Sequence, residues 1–168
     1  MAGLIDCMRK APAFVAFLFL VSCSPDPAEL PRPVAVTTSG AGPAKTAQVF
    51  GAMLNAERAK HGRPKLNLSP QLSAAALGHA IDMATKKYFS HTSRGGVTPA
   101  DRVLAQGYSY CFVAENIAQG QKTEAAVLAG WMRSSGHRRN NLSRDATQYG
   151  FAHAPGDYWV LVLGRPGC

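Results

Sequence analysis

The stretch that most constrains the fold lies at the N-terminus, where two successive segments cannot join a globular core. Arg9 and Lys10 precede an apolar run, Ala11 to Val21, that ends at Ser22-Cys23. A run of about eleven residues is too short to span a bilayer as a helix, but it suits the apolar region of a secretory signal. Leu20-Val21-Ser22-Cys23 has the form of a bacterial lipobox, in which cleavage leaves a cysteine whose thiol takes a lipid thioether. An ordinary secretory signal with an incidental Cys23 is the other reading. From Ser24 to about Ala44 come Pro25, Pro27, Pro31, Pro33 and Pro43 among Gly, Ser and Thr. Such a segment has little to bury and reads as a tether. The expected organisation is a signal over 1–22, Cys23 and a proline-rich tether over 23–44, and one globular domain over 45–168.

Export changes the meaning of the charge. The chain carries 18 Lys+Arg against 10 Asp+Glu, a formal net charge of +8. Removal of residues 1–22 takes Arg9, Lys10 and Asp6 with it and leaves +7. An exported basic protein meets anionic lipid head groups and wall polymers rather than chromosomes. No run of five like charges is present, and aromatic residues do not interleave with Lys and Arg in a stacking pattern. Nucleic acid is therefore not an expected partner. The membrane is, through a lipidated Cys23, with the domain facing the periplasm or the exterior. Ser24 after the cysteine resembles the outer-membrane sorting pattern if the host is Gram-negative. Cys7 leaves with the signal, so Cys111 and Cys168 are the thiols of the folded part. In an oxidising compartment their pairing is expected, against the alternative of two buried free thiols.

Within the domain, helix punctuation comes first. Thr46–His61 places Val49, Phe50, Met53 and Leu54 on one face and stops at Gly62. Ser69-Pro70 supplies an N-cap and a first-turn proline, after which Leu72, Ala75, Ala76, His79, Ala80 and Met83 keep helical spacing. Thr98-Pro99-Ala100-Asp101 resembles a capping box for a short helix ending near Gly107. Thr123 caps a fourth helix with Val127 and Trp131. Strand patterns follow in Tyr110–Ala118, Thr147–Ala154 and Tyr158–Leu163, the last two flanking a Pro155-Gly156-Asp157 hairpin turn. Helices early and strands late predict an α+β fold with an antiparallel sheet.

Chemistry is concentrated in a few residues. His61 stands at a helix C-terminus and His79 on an apolar face, so both read as structural, and His153 beside the hairpin reads as solvated. His91, in Phe89-Ser90-His91-Thr92, and His137, in Ser134-Ser135-Gly136-His137-Arg138, occupy polar, turn-rich stretches where sites are commonly carried. Glu115 lies inside the apolar Phe112-Val113-Ala114-Glu115-Asn116-Ile117, where a buried carboxylate needs partners. No zinc-helix, nucleophile-elbow or phosphate-loop motif is present. Cys111 has no base near it in sequence that would make it a nucleophile.

Together, Phe89-Ser90-His91, Ala114-Glu115-Asn116-Ile117-Ala118-Gln119-Gly120, Trp131 to Arg138 and Tyr149-Gly150-Phe151 closely resemble the CAP superfamily, or SCP domain, in its bacterial branch. Leu54-Asn55-Ala56-Glu57-Arg58 and His79-Ala80-Ile81-Asp82-Met83 are similar to its two opening helices. The resemblance covers about Val49 to Leu163. It implies an α-β-α sandwich with helices on both faces of a small antiparallel sheet. It also implies a cleft in which eukaryotic members gather two His and two Glu, with zinc held by the histidines in some. His91 and His137 match the two histidines and Glu115 matches one Glu, while Ser134 stands about where the other is expected. The cleft expected here is thus His91, Glu115, Ser134 and His137, with Zn²⁺ on His91 and His137 as the one cofactor the resemblance suggests. The expected function is a non-enzymatic, monomeric envelope module that binds a lipid, a wall fragment or a protein. The alternative is a zinc-assisted, peptidase-like hydrolase with Glu115 as its base.

Overall fold

Prolines and hydroxyl side chains set where the helices begin. The structure, a computed structural model, describes residues 42–168, so the signal, Cys23 and nearly all of the tether lie outside the described residues. Helix α1 runs Pro43–Lys60, starting two residues inside the expected tether because Pro43 occupies its first turn, where a missing N–H costs nothing. It ends at His61, and Gly62 follows at φ 61°. In α2, Pro70–Lys86, the Ser69 hydroxyl accepts from the Leu72 N–H. In α3, Pro99–Ala105, Thr98 and Asp101 form the reciprocal capping box. In α4, Glu124–Arg133, the Thr123 hydroxyl accepts from the Ala126 N–H. A fifth helix, α5, Ser135–Asn141, follows at once, where the sequence predicts only a turn-rich stretch.

The strands are β1, Asn67–Leu68; β2, Tyr110–Gln119; β3, Gln148–Ala154; and β4, Tyr158–Pro166. Their order across the sheet is β1-β3-β4-β2. β4 pairs antiparallel with both β2 and β3. The sheet is mixed rather than wholly antiparallel, because β1 joins β3 in parallel through Asn67 and Leu68. Two residues between a helix exit and a proline carry no alternation to read, which is why this strand left no signal in the sequence. The β3–β4 turn is tight because Gly156 and Asp157 both take positive φ, 84° and 58°.

Alternation along β4 explains the layers. Trp159, Leu161 and Leu163 point to one cluster with Phe50, Leu54, Trp131 and Phe151, under α1 and α4. Tyr158, Val160 and Val162 point to the other, with Leu72, Ala76, Ala80 and Met83 of α2 and Val103 of α3. β4 is therefore apolar without interruption because both its faces are covered. The result is an α-β-α sandwich. Gly150 of β3 lies so close to α2 that a Cβ there would meet the Leu72 carbonyl carbon at 2.1 Å. The alanines of α2 serve the same close approach. Cys111 and Cys168 form a disulfide, with Cα atoms 5.2 Å apart, that ties the chain end to the start of β2.

Candidate functional site

The site forms because β2 is an edge strand whose neighbouring residues point to opposite faces. Glu115 turns toward α2 and α3, and Asn116 toward α5. Groups on the two faces can therefore meet over the strand's free edge. That edge is not left open. The carbonyl of Glu115 accepts from Asn140 Nδ2 at 3.3 Å, and that of Ile117 from Trp131 Nε1 at 3.1 Å.

Glu115 is the hub. Its side chain is 1% exposed, and its two oxygens are engaged separately. Oε1 accepts from His91 Nδ1 at 2.9 Å, and Oε2 accepts from Arg102 Nη2 at 2.8 Å. His79 Nε2 lies 3.9 Å from Oε1. A carboxylate so buried needs such partners for both its oxygens.

His91 lies on a loop, yet its backbone is fixed on both sides. Arg102 Nη2 donates to the His91 carbonyl at 2.8 Å, and His79 Nε2 donates to the Ser90 carbonyl at 2.9 Å. With Nδ1 directed to Glu115, the His91 ring presents Nε2 outward, and its side chain is 50% exposed. His79, which reads from sequence as a core residue, is indeed buried, but it also positions the loop that carries His91. Arg102 is not marked out by the sequence. Its one available signal is its place three residues inside the capped start of α3.

On the other face, Asn116 is fully buried and anchors α5. Its Nδ2 donates to the His137 carbonyl at 3.1 Å and to Asn141 Oδ1 at 2.8 Å, while its Oδ1 accepts from Asn140 at 2.8 Å. The Glu-Asn pair thus sets one site residue through each face of the strand. His137 and Ser134 line a groove of about 490 Å³ with Phe89, Ile117, Val127 and Trp131. The structure so brings His91, Glu115 and His137 together around the β2 edge, with Ser134 beside His137.

Burial is the main reason that His79 and His137 have lowered pKa values; Glu115 partly opposes the shift at His79, and the nearby His91 adds to it at His137. Both rings take up a proton more readily unfolded, near 6.5, than folded, so they withdraw stability as pH falls below about 6.5 and not above it. Thermal melts between pH 7.5 and 5 should show a falling Tm, and His79→Gln should flatten that slope. An unchanged slope in the variant would remove His79 from the account.

The donor set can be tested against zinc. His91 Nδ1 is spent on Glu115, so His91 has only Nε2 to offer beside the His137 imidazole, and Ser134 supplies a hydroxyl where the resemblance implies a carboxylate. Among the described residues, no group of three or more His, Cys, Asp or Glu could hold a metal ion. Two imidazoles fall short of the three protein ligands usual for catalytic zinc, so these residues do not fit a tight zinc centre.

Comparison with known proteins gives this geometry a context. The family model for the cysteine-rich secretory protein family, CAP, matches residues 52–163. The protein YkwD of Bacillus subtilis is 39% identical over 109 residues, covering 64% of this chain and 42% of that protein. The membrane protein YlbC of the same organism is 35% identical over 98 residues, covering 58% of this chain and 28% of that one. The chain thus spans less than half the length of these curated relatives. An extracellular protein containing an SCP domain from Bacillus anthracis superposes with a TM-score of 0.70 at 30% identity, over 73% of this chain and 41% of that one. An outer surface protein of Borrelia burgdorferi superposes with a TM-score of 0.67 at 21% identity, over 71% of this chain and 92% of that one, which is a likeness of fold.

Proposed function

The chain belongs to the cysteine-rich secretory protein (CAP) family, and from that membership we propose that it is an exported binding module of the bacterial cell envelope. In this reading Cys23 carries the lipid, residues 24–41 form the spacer, and the groove beside His137 receives the ligand. The observation that carries the binding role is the commitment of Glu115. Both its oxygens are already paired, to His91 and to Arg102, and its side chain is 1% exposed. A general base must reach the proton that it removes, and this carboxylate instead fixes the tautomer of His91. The groove then presents His137 and Ser134 beside the apolar Phe89, Ile117, Val127 and Trp131, and the exposed His91 ring lies on the loop that also carries Phe89. That combination suits a ligand with an apolar body and a hydrogen-bonding head, such as a lipid or a wall fragment. Export is supported by the extracellular relative from Bacillus anthracis and by the signal and lipobox pattern ending at Cys23.

Gly130 offers a clean test, because it lines the groove and a Cβ there meets nothing within 4 Å. The protein recovered from its own envelope should retain a lipid or wall fragment detectable by mass spectrometry after extraction. Gly130→Trp should fold normally and retain at least tenfold less. Equal retention by the two proteins, or none by the wild type, would end the reading. Palmitate labelling that is lost in Cys23→Ser checks the anchor separately.

A further inference from the structure

A second cavity, larger than the groove beside His137, opens elsewhere on the domain. It lies across α5, holds about 680 Å³, and shares no lining residue with that groove. Its wall carries Arg63, Arg133, Arg138, Arg139 and Arg144 against the single carboxylate of Asp145. That carboxylate is already shared with Arg165, whose Nη1 lies 3.7 Å away. Arg138 touches His61 Nε2 at 3.1 Å, but among the described residues Arg133, Arg139 and Arg144 form no ion pair. Five guanidinium groups around one cleft repel one another unless an anion joins them.

A second, independent observation comes from beneath the surface. Arg58 is fully buried, and its Nη2 has no partner; Arg63 Nε, buried in the cleft wall, has none either. The neighbouring Arg63 adds to burial in lowering the pKa of Arg58. Unpaired buried donors are uncommon in folded proteins; Arg63 Nε belongs to the cleft wall itself, whereas Arg58 lies outside the lining and keeps its Nε and Nη1 on backbone carbonyls. Phe112, Met132 and Leu142, all half-buried, complete the lining with an apolar face.

We infer that this arginine cleft binds a phosphate ester, separately from whatever occupies the His137 groove. A carboxylate has two oxygens and satisfies one guanidinium fork, whereas a phosphate presents more oxygens and can be gripped by several forks at once. The volume suits a ligand of small-molecule size, and the apolar face suits the glycerol or acyl portion next to the phosphate. The phosphate can belong to a soluble ester or to a phospholipid head group, and these sources are separable by experiment.

The full chain would be titrated calorimetrically with glycerol 3-phosphate, and by co-sedimentation with vesicles of phosphatidylglycerol and phosphatidylcholine against phosphatidylcholine alone. The difference between the two vesicle types is the readout, which cancels any insertion of residues 11–21. R139Q/R144Q changes two exposed, unpaired arginines and should weaken binding at least tenfold. K45Q/K87Q removes the same charge outside the cleft and should leave binding unchanged. Binding of the soluble ester alone identifies a soluble ligand, and binding that also or only appears with phosphatidylglycerol identifies a head group; either supports the cleft. No binding in either arm, or equal losses in the two double variants, would overturn it.

Discussion

Glu115→Ala is expected to cost about 3–5 kcal/mol of stability, the range found when one partner of a buried charge pair is removed. The reason is the company that Glu115 keeps. Arg102 would retain its charge at 11% side-chain exposure with its carboxylate gone, and His91 would lose the acceptor of its Nδ1 proton. The loss should spread beyond the cavity. Arg102 also holds the His91 and Val97 carbonyls, so an unpaired guanidinium would loosen the whole connection between α2 and α3. Glu115→Gln keeps the volume and one acceptor but turns an amide donor toward donors, so an intermediate loss is expected. Urea denaturation measures both. A loss under about 1 kcal/mol for Glu115→Ala would mean that the carboxylate is not the hub of the site.

The parts of this molecule that were legible in its sequence are those where local chemistry decides the outcome. Ser69, Thr98 and Thr123 each announce a helix because a hydroxyl before a helical run has one obvious use, and each does cap the helix expected of it. The apolar runs of β2, β3 and β4 were legible because a strand buried on both faces has few polar positions. Helix α5 was not. Its sequence, Ser-Gly-His-Arg-Arg-Asn-Asn, offers no apolar stripe, and seven residues are too few to hold a helix alone. It exists because buried polar groups elsewhere take up its backbone. The same limit applies at the site. His91, Glu115 and His137 could be named from motifs, but the roles of Arg102, His79 and Asn116 depend on which strand lies at the sheet's edge. Strand order is a tertiary fact with no local signature. The mixed sheet has the same origin, since β1 is defined by its neighbour β3 and not by its own two residues.

Arg58→Ala is expected to cost about 3 kcal/mol, and to do so chiefly at α5, far away in sequence. Three backbone carbonyls depend on this one side chain. Nε donates to Pro64 at 2.9 Å, and Nη1 donates to Asn141 at 2.7 Å and to Ser143 at 3.0 Å. Two of these acceptors lie at and just beyond the C-terminus of α5, where a cation also meets the negative end of the helix. A hydrogen bond to a charged donor contributes about 1.5–3 kcal/mol, and a buried carbonyl stripped of its donor costs about 1–3 kcal/mol. Relief of the buried guanidinium's own desolvation offsets part of that sum, which brings the expected loss to about 3 kcal/mol. Arg58→Lys keeps the charge but gathers its donors on one nitrogen, where Nε and Nη1 now reach carbonyls of two separate segments, so it should recover less than half of the stability. Hydrogen exchange locates the effect. Amides of α5 should lose protection in Arg58→Ala before those of β4 do, because β4 is held by two apolar faces that the substitution does not touch. If α5 and β4 instead lost protection together, α5 would owe its stability to the general core and not to the buried arginine beneath it.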